Sequence, residues 1–123
     1  MDMHDYKKLD VWEKSMKLVQ DTYELTKSFP EEEKFGLVSQ ARRCATSIPS
    51  NIAEGAGRNT DKEFNNFLSI ALGSAFELET QIILSQRLEF VSKDRANKIL
   101  SDLDSICRMI HSLKKRITGK NKV

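Results

Sequence analysis

The chain has 123 residues, of which 39% are hydrophobic and 31% charged, a composition ordinary for one globular domain with its own core. Twenty basic residues against 18 acidic ones give a net charge of +2, too balanced to indicate a nucleic-acid partner by itself. Residues 1–5 are acidic and polar, and no apolar run approaches the roughly 20 residues that span a bilayer. We therefore expect no signal peptide, no membrane partner and a cytoplasmic location.

Apolar residues recur at steps of three and four along almost the whole chain, which predicts an all-α fold. Four helices are expected, at about 10–28, 30–57, 61–88 and 93–117. Short connections make neighbouring helices antiparallel, so residues 1–123 are predicted to form one up-down four-helix bundle domain with a flexible basic C-terminal tail.

The first predicted helix begins at Asp10, whose carboxylate is expected to act as the N-cap. This helix has two apolar stripes where a small bundle needs only one. The first stripe consists of Trp12, Met16, Val19 and Tyr23, and the second consists of Val11, Leu18 and Leu25.

The second helix is expected to start near Pro30, with Glu31, Glu32 and Glu33 placing negative charge on its first turn. Pro49 removes the hydrogen bond to the Ala45 carbonyl, so we expect it to kink or split the helix. The predicted core stripe of this helix is Val38, Ala41, Ala45, Ile48 and Ile52.

The third helix should begin with a capping box between Thr60 and Glu63, and Ser92 should cap the fourth helix. The third helix has the core stripe Phe64, Leu68, Ala71, Ala75, Leu78 and Ile82, and a flanking face of Leu72, Phe76 and Ile83. The fourth helix has an unbroken heptad-like seam, which is Ala96, Ile99, Leu103, Ile106, Ile110, Leu113 and Ile117.

Two helices therefore have more apolar surface than one small bundle can hide. Either the extra residues widen the core face, or they form an interface between copies of the chain. We favour the interface and assign to it Val11, Leu18, Leu25, Leu72, Phe76 and Ile83.

Polar residues line one face of the second helix and one face of the third, and we assign a structural polar network to Ser47, Asn51, Glu54 and Glu77. If the intervening turn centres near residues 59 and 60, paired residue numbers sum to about 120. Ser47 then lies opposite Gly73, the pair Arg42 and Arg43 comes level with Glu77, and Arg58 sits near Glu63. The network is either a set of weak surface ion pairs or a buried Arg–Glu contact that fixes register.

Residues that could perform catalysis are scarce. His4 lies in an N-terminal segment expected to be loose, and His111 with Cys107 would supply only two metal ligands. No Glu-x-x-His pair or phosphate loop is present, and two histidines are too few for a nucleophile–base–orienter trio, which leaves only a carboxylate pair as an alternative. We therefore predict no catalytic residues, no metal and no cofactor, so the chain is not expected to be an enzyme.

Six basic residues and no acidic one lie between Ile106 and Val123. This run is either a solvated helix end, where cations suit the helix dipole, or a phosphate-binding surface. The candidate nucleic-acid contacts along the whole chain are Arg42, Arg43, Arg58, Lys62, Lys114, Lys115 and Arg116.

Residues 47–58, SIPSNIAEGAGR, resemble a known family, and the similarity extends to residues 9–16, 67–75 and 77–81. The family comprises the bacterial four-helix bundle proteins encoded in 23S ribosomal RNA intervening sequences, also labelled S23 ribosomal proteins. The resemblance implies a ring, typically a homopentamer. It also implies similarity to the accessory proteins of diversity-generating retroelements, which are basic pentameric bundles that bind nucleic acid and a reverse transcriptase.

Two functions follow as expectations. One is a ring that binds RNA or DNA phosphates without reading sequence, and the other is a scaffold that docks a partner enzyme such as a reverse transcriptase. The net charge of +2 departs from the basic character of the retroelement proteins and weakens the first expectation.

Overall fold

The structure, a computed structural model, describes residues 3–120, with every side chain in that range except that of Lys120. Four α-helices form the fold: α1 is Asp10–Thr26, α2 is Leu37–Ala56, α3 is Asp61–Arg87 and α4 is Lys93–Lys120. Short 3-10 turns, Tyr6–Lys8 and Glu31–Glu33, precede α1 and α2. The described residues contain no β-strand, so the all-α prediction is confirmed.

Each helix packs against the next one, and α1 also packs against α4, which closes the bundle. The polar contacts show that neighbours run antiparallel. Across α2 and α3, Ser47 meets Ser74 while Cys44 meets Glu77, and Lys114 near the end of α4 meets Asn65 near the start of α3. The core stripes predicted for the second, third and fourth helices are all buried, as the heptad-like spacing requires.

The start of α2 differs from its prediction by seven residues. Pro30 opens the short 3-10 turn instead, and the α-helix begins only after Gly36. The Glu33 side chain accepts a hydrogen bond from the Leu37 N–H at 3.3 Å, which satisfies a free donor of the new helix start.

Pro49 lies inside α2 without splitting it, because the helix is continuous from Leu37 to Ala56. The proline is buried, so the contacts of its ring offset part of the cost of the lost hydrogen bond. Gly55, six residues further on, lies close against α3. A Cβ atom at this position would lie 2.7 Å from the Phe67 Cβ.

Two of the three predicted caps are confirmed. The Thr60 hydroxyl accepts from the Glu63 N–H at 3.1 Å, and the Ser92 hydroxyl accepts from the Arg95 N–H at 3.2 Å. Asp10 is instead the first residue of α1, and the N-cap position belongs to Leu9, which has no side-chain oxygen. Asp10 can therefore favour the helix only through its charge in the first turn.

The α3–α4 connection ends α3 with a hydrogen-bond pattern usually built on glycine. Glu89 has a φ of 65°. The Phe90 N–H donates to the Ser85 carbonyl at 2.9 Å and the Glu89 N–H donates to the Gln86 carbonyl at 3.0 Å, which is a Schellman motif.

The predicted flexible tail is helical as far as it is described, since α4 continues to Lys120. The remainder of that tail, residues 121–123, lies outside the described residues.

Candidate nucleic-acid interface

One end of the bundle gathers five of the seven basic residues predicted to contact nucleic acid. This end is formed where α1 starts, α2 ends, α3 starts and α4 approaches its end. We call the five residues the end cluster, and they are Arg58, Lys62, Lys114, Lys115 and Arg116.

Lys114 fixes the position of the α4 end. Its Nζ donates to the Ser69 hydroxyl and to the Asn65 carbonyl on the first turns of α3. Lys114 is consequently half-buried, whereas Lys115 and Arg116 are exposed. Neither of these two makes a hydrogen bond or ion pair with any other described residue.

Arg58 lies in the turn between α2 and α3. Its guanidinium sits 4.8 Å from the centre of the Phe67 ring and donates to Glu54 at 2.8 Å. The predicted neighbour Glu63 instead approaches Thr60, so the Arg58–Glu63 pairing is wrong. Helical spacing favours the observed pair, because Glu54 and Arg58 are four residues apart.

Arg42 and Arg43 lie apart from the end cluster. At about 1.5 Å per helical residue, Arg43 is roughly 20 Å along the bundle from Arg58. Arg42 reaches across to α1, where it donates to the Thr26 hydroxyl at 2.9 Å and covers the Tyr23 ring at 4.5 Å. Arg43 is exposed.

Arg42 therefore faces α1 and makes no hydrogen bond or ion pair with Glu77. The predicted register is confirmed, because the numbers of the Cys44–Glu77 and Ser47–Ser74 pairs each sum to 121. The group facing Glu77 is Cys44, whose thiol donates to the carboxylate at 3.4 Å. No buried Arg–Glu contact joins α2 and α3 among the described residues, so the register depends on smaller groups.

A cluster of small polar groups joins the middle of α2 to α3. The Ser47 and Ser74 hydroxyls share a hydrogen bond of 2.7 Å, and the Asn51 amide donates to Ser47 Oγ at 2.9 Å. Gly73, the predicted neighbour of Ser47, is exposed, and a Cβ there would meet nothing within 4 Å. The four residues predicted to form one network are therefore not all connected. Asn51 donates to Ser47, whereas Glu54 pairs with Arg58 and Glu77 accepts from Cys44.

Both cysteines are free and resist ionisation. Burial raises the pKa of the Cys44 thiol, and the hydrogen bond to Glu77 raises it further. Burial also raises the pKa of Cys107, with the charges of Glu79 and Asp104 acting in the same direction. Such thiols are poor nucleophiles at neutral pH, because the thiolate is the reactive form.

His4 is held in place at the end of the bundle, although the sequence suggested a loose segment. Its Nδ1 lies 2.8 Å from the Ala56 carbonyl oxygen and its Nε2 lies 3.0 Å from Asp61 Oδ1. The ring packs 5.1 Å from the Phe64 ring. The N-terminal segment therefore covers the turn beside the end cluster.

The proposed interface residues on α1 are wrong. Val11, Leu18 and Leu25 are all at most 4% exposed and belong to the core. Their face of α1 also carries Ser15, Thr22 and Thr26, which are buried as well. Each of these hydroxyls donates to a carbonyl of its own helix, so the face can be buried.

The other α1 stripe is the one left at the surface, with Met16 40% and Tyr23 44% exposed. On α3 the prediction fits the exposure better. Phe76 is 50% exposed, Ile83 is 37% exposed and Leu72 is half-buried.

By length and composition, α3 is apolar enough to cross a membrane. No membrane-spanning run was predicted from the sequence. In the bundle it packs against both α2 and α4. Only 33% of the most apolar 18-residue stretch of α3 is buried within the chain. That leaves substantial apolar surface on α3.

A second surface, which was not predicted from the sequence, is a groove of about 660 Å³ beside Arg42 and Arg43. Phe35 borders it and is 89% exposed, because it sits in the loop before α2 and belongs to no helical stripe. The signal was an aromatic residue between Lys34 and Gly36, outside the periodic pattern.

These surfaces can bind anions and apolar partners. Within residues 3–120, no three His, Cys, Asp or Glu side chains are grouped so that they could hold a metal ion.

The chain is a four-helix, all-α protein whose most distinctive surface features are a basic end and exposed apolar faces. Residues 7–112 match the model of the 23S rRNA-intervening sequence protein family, and the chain belongs to that family. It is similar to a solved protein of unknown function from the S23 ribosomal protein family of Bacteroides thetaiotaomicron VPI-5482. The two share 31% identity and a TM-score of 0.79, over 85% of this chain and 95% of the other. No curated protein matches this chain. Neither matching description names an enzymatic activity.

Proposed function

We propose that the protein is a non-enzymatic, self-associating module that binds nucleic acid, RNA in the first instance, through phosphate contacts. The observation that carries the proposal is the end cluster, where residues from the α2–α3 turn, α3 and α4 meet. Lysine and arginine side chains that neutralise phosphates bind without reading base sequence.

The end cluster has three exposed cations without a competing partner among the described residues, namely Lys62, Lys115 and Arg116. Two acidic groups at the same end have partners, because Glu54 pairs with Arg58 and Asp61 contacts His4. Asp10 at the start of α1 is exposed and lines a depression together with Arg116, so it offsets part of the charge of the cluster.

Self-association would multiply this modest surface. The exposed Phe76 and Ile83 on α3 and the exposed Met16 on α1 supply two apolar faces on one copy. When α3 of one copy covers α1 of the next, the contact is heterologous, and such contacts form a ring when the rotation between copies closes. Repeating the end cluster around a ring, with a pentamer as the expected form, raises avidity without any new contact.

The test is an electrophoretic mobility shift of the purified oligomer with RNA across a salt series. The variant is Lys115→Glu/Arg116→Glu, which leaves the Lys114 anchor intact. We expect tight binding at low salt that weakens steeply as salt rises. Losing two phosphate contacts should lower the log–log salt slope by about 1.4, at about 0.7 per contact for a single strand.

The matched control is Lys93→Glu/Lys98→Glu, which makes the same change in charge at the opposite end of the bundle. An equal loss in the control would indicate a general charge effect and count against the end cluster. Binding that ignores salt, or no binding at low salt, would reject the proposal. In the latter case the protein would be a scaffold for a partner enzyme, to be sought by pull-down.

A further inference from the structure

The groove beside α1 and α2 combines cations and aromatic rings in an arrangement that the end cluster lacks. Its volume is about 660 Å³, and three of its lining residues are the cations Lys34, Arg42 and Arg43. None of the described residues that line it is acidic. The groove therefore favours an anionic occupant.

The nearest acidic segment lies next to this charge. Glu31–Glu33 precedes the groove, and the Glu33 carboxylate faces the start of α2, where it accepts from the Leu37 N–H at 3.3 Å. Glu31 lines an adjoining depression that shares Lys34 and Arg42 with the groove, whereas Arg43 does not line that depression.

The three cations are held in different ways. Arg42 is fixed by its hydrogen bond to the Thr26 hydroxyl and by the Tyr23 ring, so its guanidinium forms part of the groove wall. Arg43 is exposed on the next position of α2 and makes no hydrogen bond or ion pair within the described residues. Arg42 is thus held in place, whereas the neighbouring Arg43 is available to a phosphate.

Two aromatic rings border the same groove. Phe35 is 89% exposed, the largest exposure of any large apolar side chain described, and the Lys34 ammonium lies 5.7 Å from its centre. Tyr23 is 44% exposed with the Arg42 guanidinium over its ring. An aromatic side chain this exposed does not stabilise the fold by burial. Next to cations, it offers a surface on which a base can stack.

We infer that this groove is a binding site for single-stranded nucleic acid, in which a base stacks on Phe35 and the neighbouring phosphates lie against Arg43 and Lys34. The inference rests on the proposed function and adds strand specificity to it. Aromatic stacking with a cationic track is the chemistry by which proteins hold single strands without reading sequence.

A duplex does not fit this chemistry, because its bases are stacked inside the helix and cannot reach an aromatic ring at the protein surface. An acidic peptide would satisfy the cations, but its carboxylates would leave the Phe35 ring uncovered. The ring and the cations together therefore favour a single strand.

The experiment is fluorescence anisotropy with a labelled 12-nucleotide single-stranded RNA and with the duplex of the same sequence, using the full-length protein. The variant is Phe35→Ala, which removes the stacking ring from an exposed position and leaves every cation in place. The matched control is Ile70→Ala on α3, where an apolar side chain is 52% exposed outside the groove.

We expect Phe35→Ala to weaken single-strand binding by roughly 5- to 150-fold while duplex binding stays unchanged. Phe35→Trp should retain the wild-type single-strand affinity, and Ile70→Ala should affect neither substrate. Arg43→Ala should weaken single-strand binding and lower its salt slope by about 0.7. AMP is also tested as a competitor. Displacement of the RNA by AMP would indicate a site for free nucleotides, and no displacement would indicate a site that needs a strand.

Several results would overturn the inference. Unchanged single-strand binding by Phe35→Ala, with wild-type protein still binding RNA, would reject the groove and leave the end cluster and the proposed function standing. Equal losses for single strand and duplex would mean that Phe35 acts through the fold or the assembly. Competition by a 12-residue poly-glutamate peptide as effective as that by RNA would assign the groove to an acidic peptide. Absence of binding to either RNA would reject both the inference and the proposed function.

Discussion

Ser47 on α2 and Ser74 on α3 share a hydrogen bond of 2.7 Å, and this pair sets the register of the two helices that contact each other most extensively. Asn51 donates to the same Ser47 oxygen at 2.9 Å, so the contact is a three-residue cluster. Small hydroxyls thus join the two helices here, and the buried arginine–glutamate contact considered from the sequence is not formed between α2 and α3 within the described residues.

Substituting both serines tests this coupling. Ser47→Ala and Ser74→Ala should each lower the free energy of unfolding by about 1 kcal/mol, since each leaves a polar partner with fewer hydrogen bonds. The double variant should lose less than the sum of the two, because both partners are then removed. Urea denaturation of the four proteins in the cycle measures this, and strictly additive losses would mean that the hydroxyls do not interact.

Gly55 and Gly73 form a matched pair for testing helix approach. Gly55→Ala places a Cβ 2.7 Å from the Phe67 Cβ and should lower the free energy of unfolding by about 1–3 kcal/mol through overpacking. Gly73→Ala meets nothing within 4 Å and should raise it by about 0.5–1 kcal/mol, the helical preference of alanine over glycine. Thermal unfolding followed by circular dichroism gives both, and equal effects would contradict the close approach at Gly55.

Glu89 is a non-glycine residue in the left-handed region, at a φ of 65°. Glu89→Gly should raise the free energy of unfolding by up to about 1 kcal/mol, because relief of Cβ strain exceeds the added flexibility of the unfolded chain. Glu89→Ala serves as the control, since it removes the carboxylate but keeps the Cβ. If the alanine variant gains as much stability as the glycine variant, charge rather than backbone strain is responsible.

The two thiols should be slow to react in the folded protein. Burial raises the pKa of both Cys44 and Cys107. Alkylation by iodoacetamide at about pH 7.5 should therefore be far slower in the folded protein than in the protein unfolded by urea. Glu79→Gln removes a charge that raises the pKa of Cys107, and should therefore speed its modification while leaving Cys44 unchanged. Rapid labelling of both residues in the native protein would contradict this burial.

The same shifts make stability depend on alkaline pH. A thiol whose pKa is raised in the folded state stabilises the fold fully below its unfolded pKa of about 8.5, and that contribution is lost as pH rises through the folded value. The urea midpoint should therefore fall above about pH 9, and less so in Cys44→Ser/Cys107→Ser than in the parent protein.

Phe76 tests self-association. Phe76→Glu places a charge on the exposed apolar face of α3, where Phe76 is 50% exposed, and should shift the protein toward monomer in light scattering coupled to size-exclusion chromatography. Its helical content should stay the same, because the side chain lies outside the core. Asn97→Glu, at an exposed polar position on α4, is the control and should leave the assembly unchanged. A Phe76→Glu protein with parent mass would exclude this face from the interface.

The four α-helices and the core stripes of α2, α3 and α4 could be predicted from the sequence. These follow from the 3.6-residue period, because a helix with one apolar face has only one way to turn it toward a core. The Thr60 and Ser92 caps are equally local, since each cap involves residues three apart.

The stripe of α1 that faces inward, and the cations that come together, could not be predicted, because both depend on packing between helices. Two stripes on one helix are equivalent in sequence, and buried hydroxyls such as Thr22 look solvent-facing until their bonds to the helix carbonyls are seen. Phe35 lies outside every periodic pattern, and Arg42 found its partners on α1 rather than α3. Periodicity describes one helix at a time, whereas the end cluster and the groove depend on distances between helices.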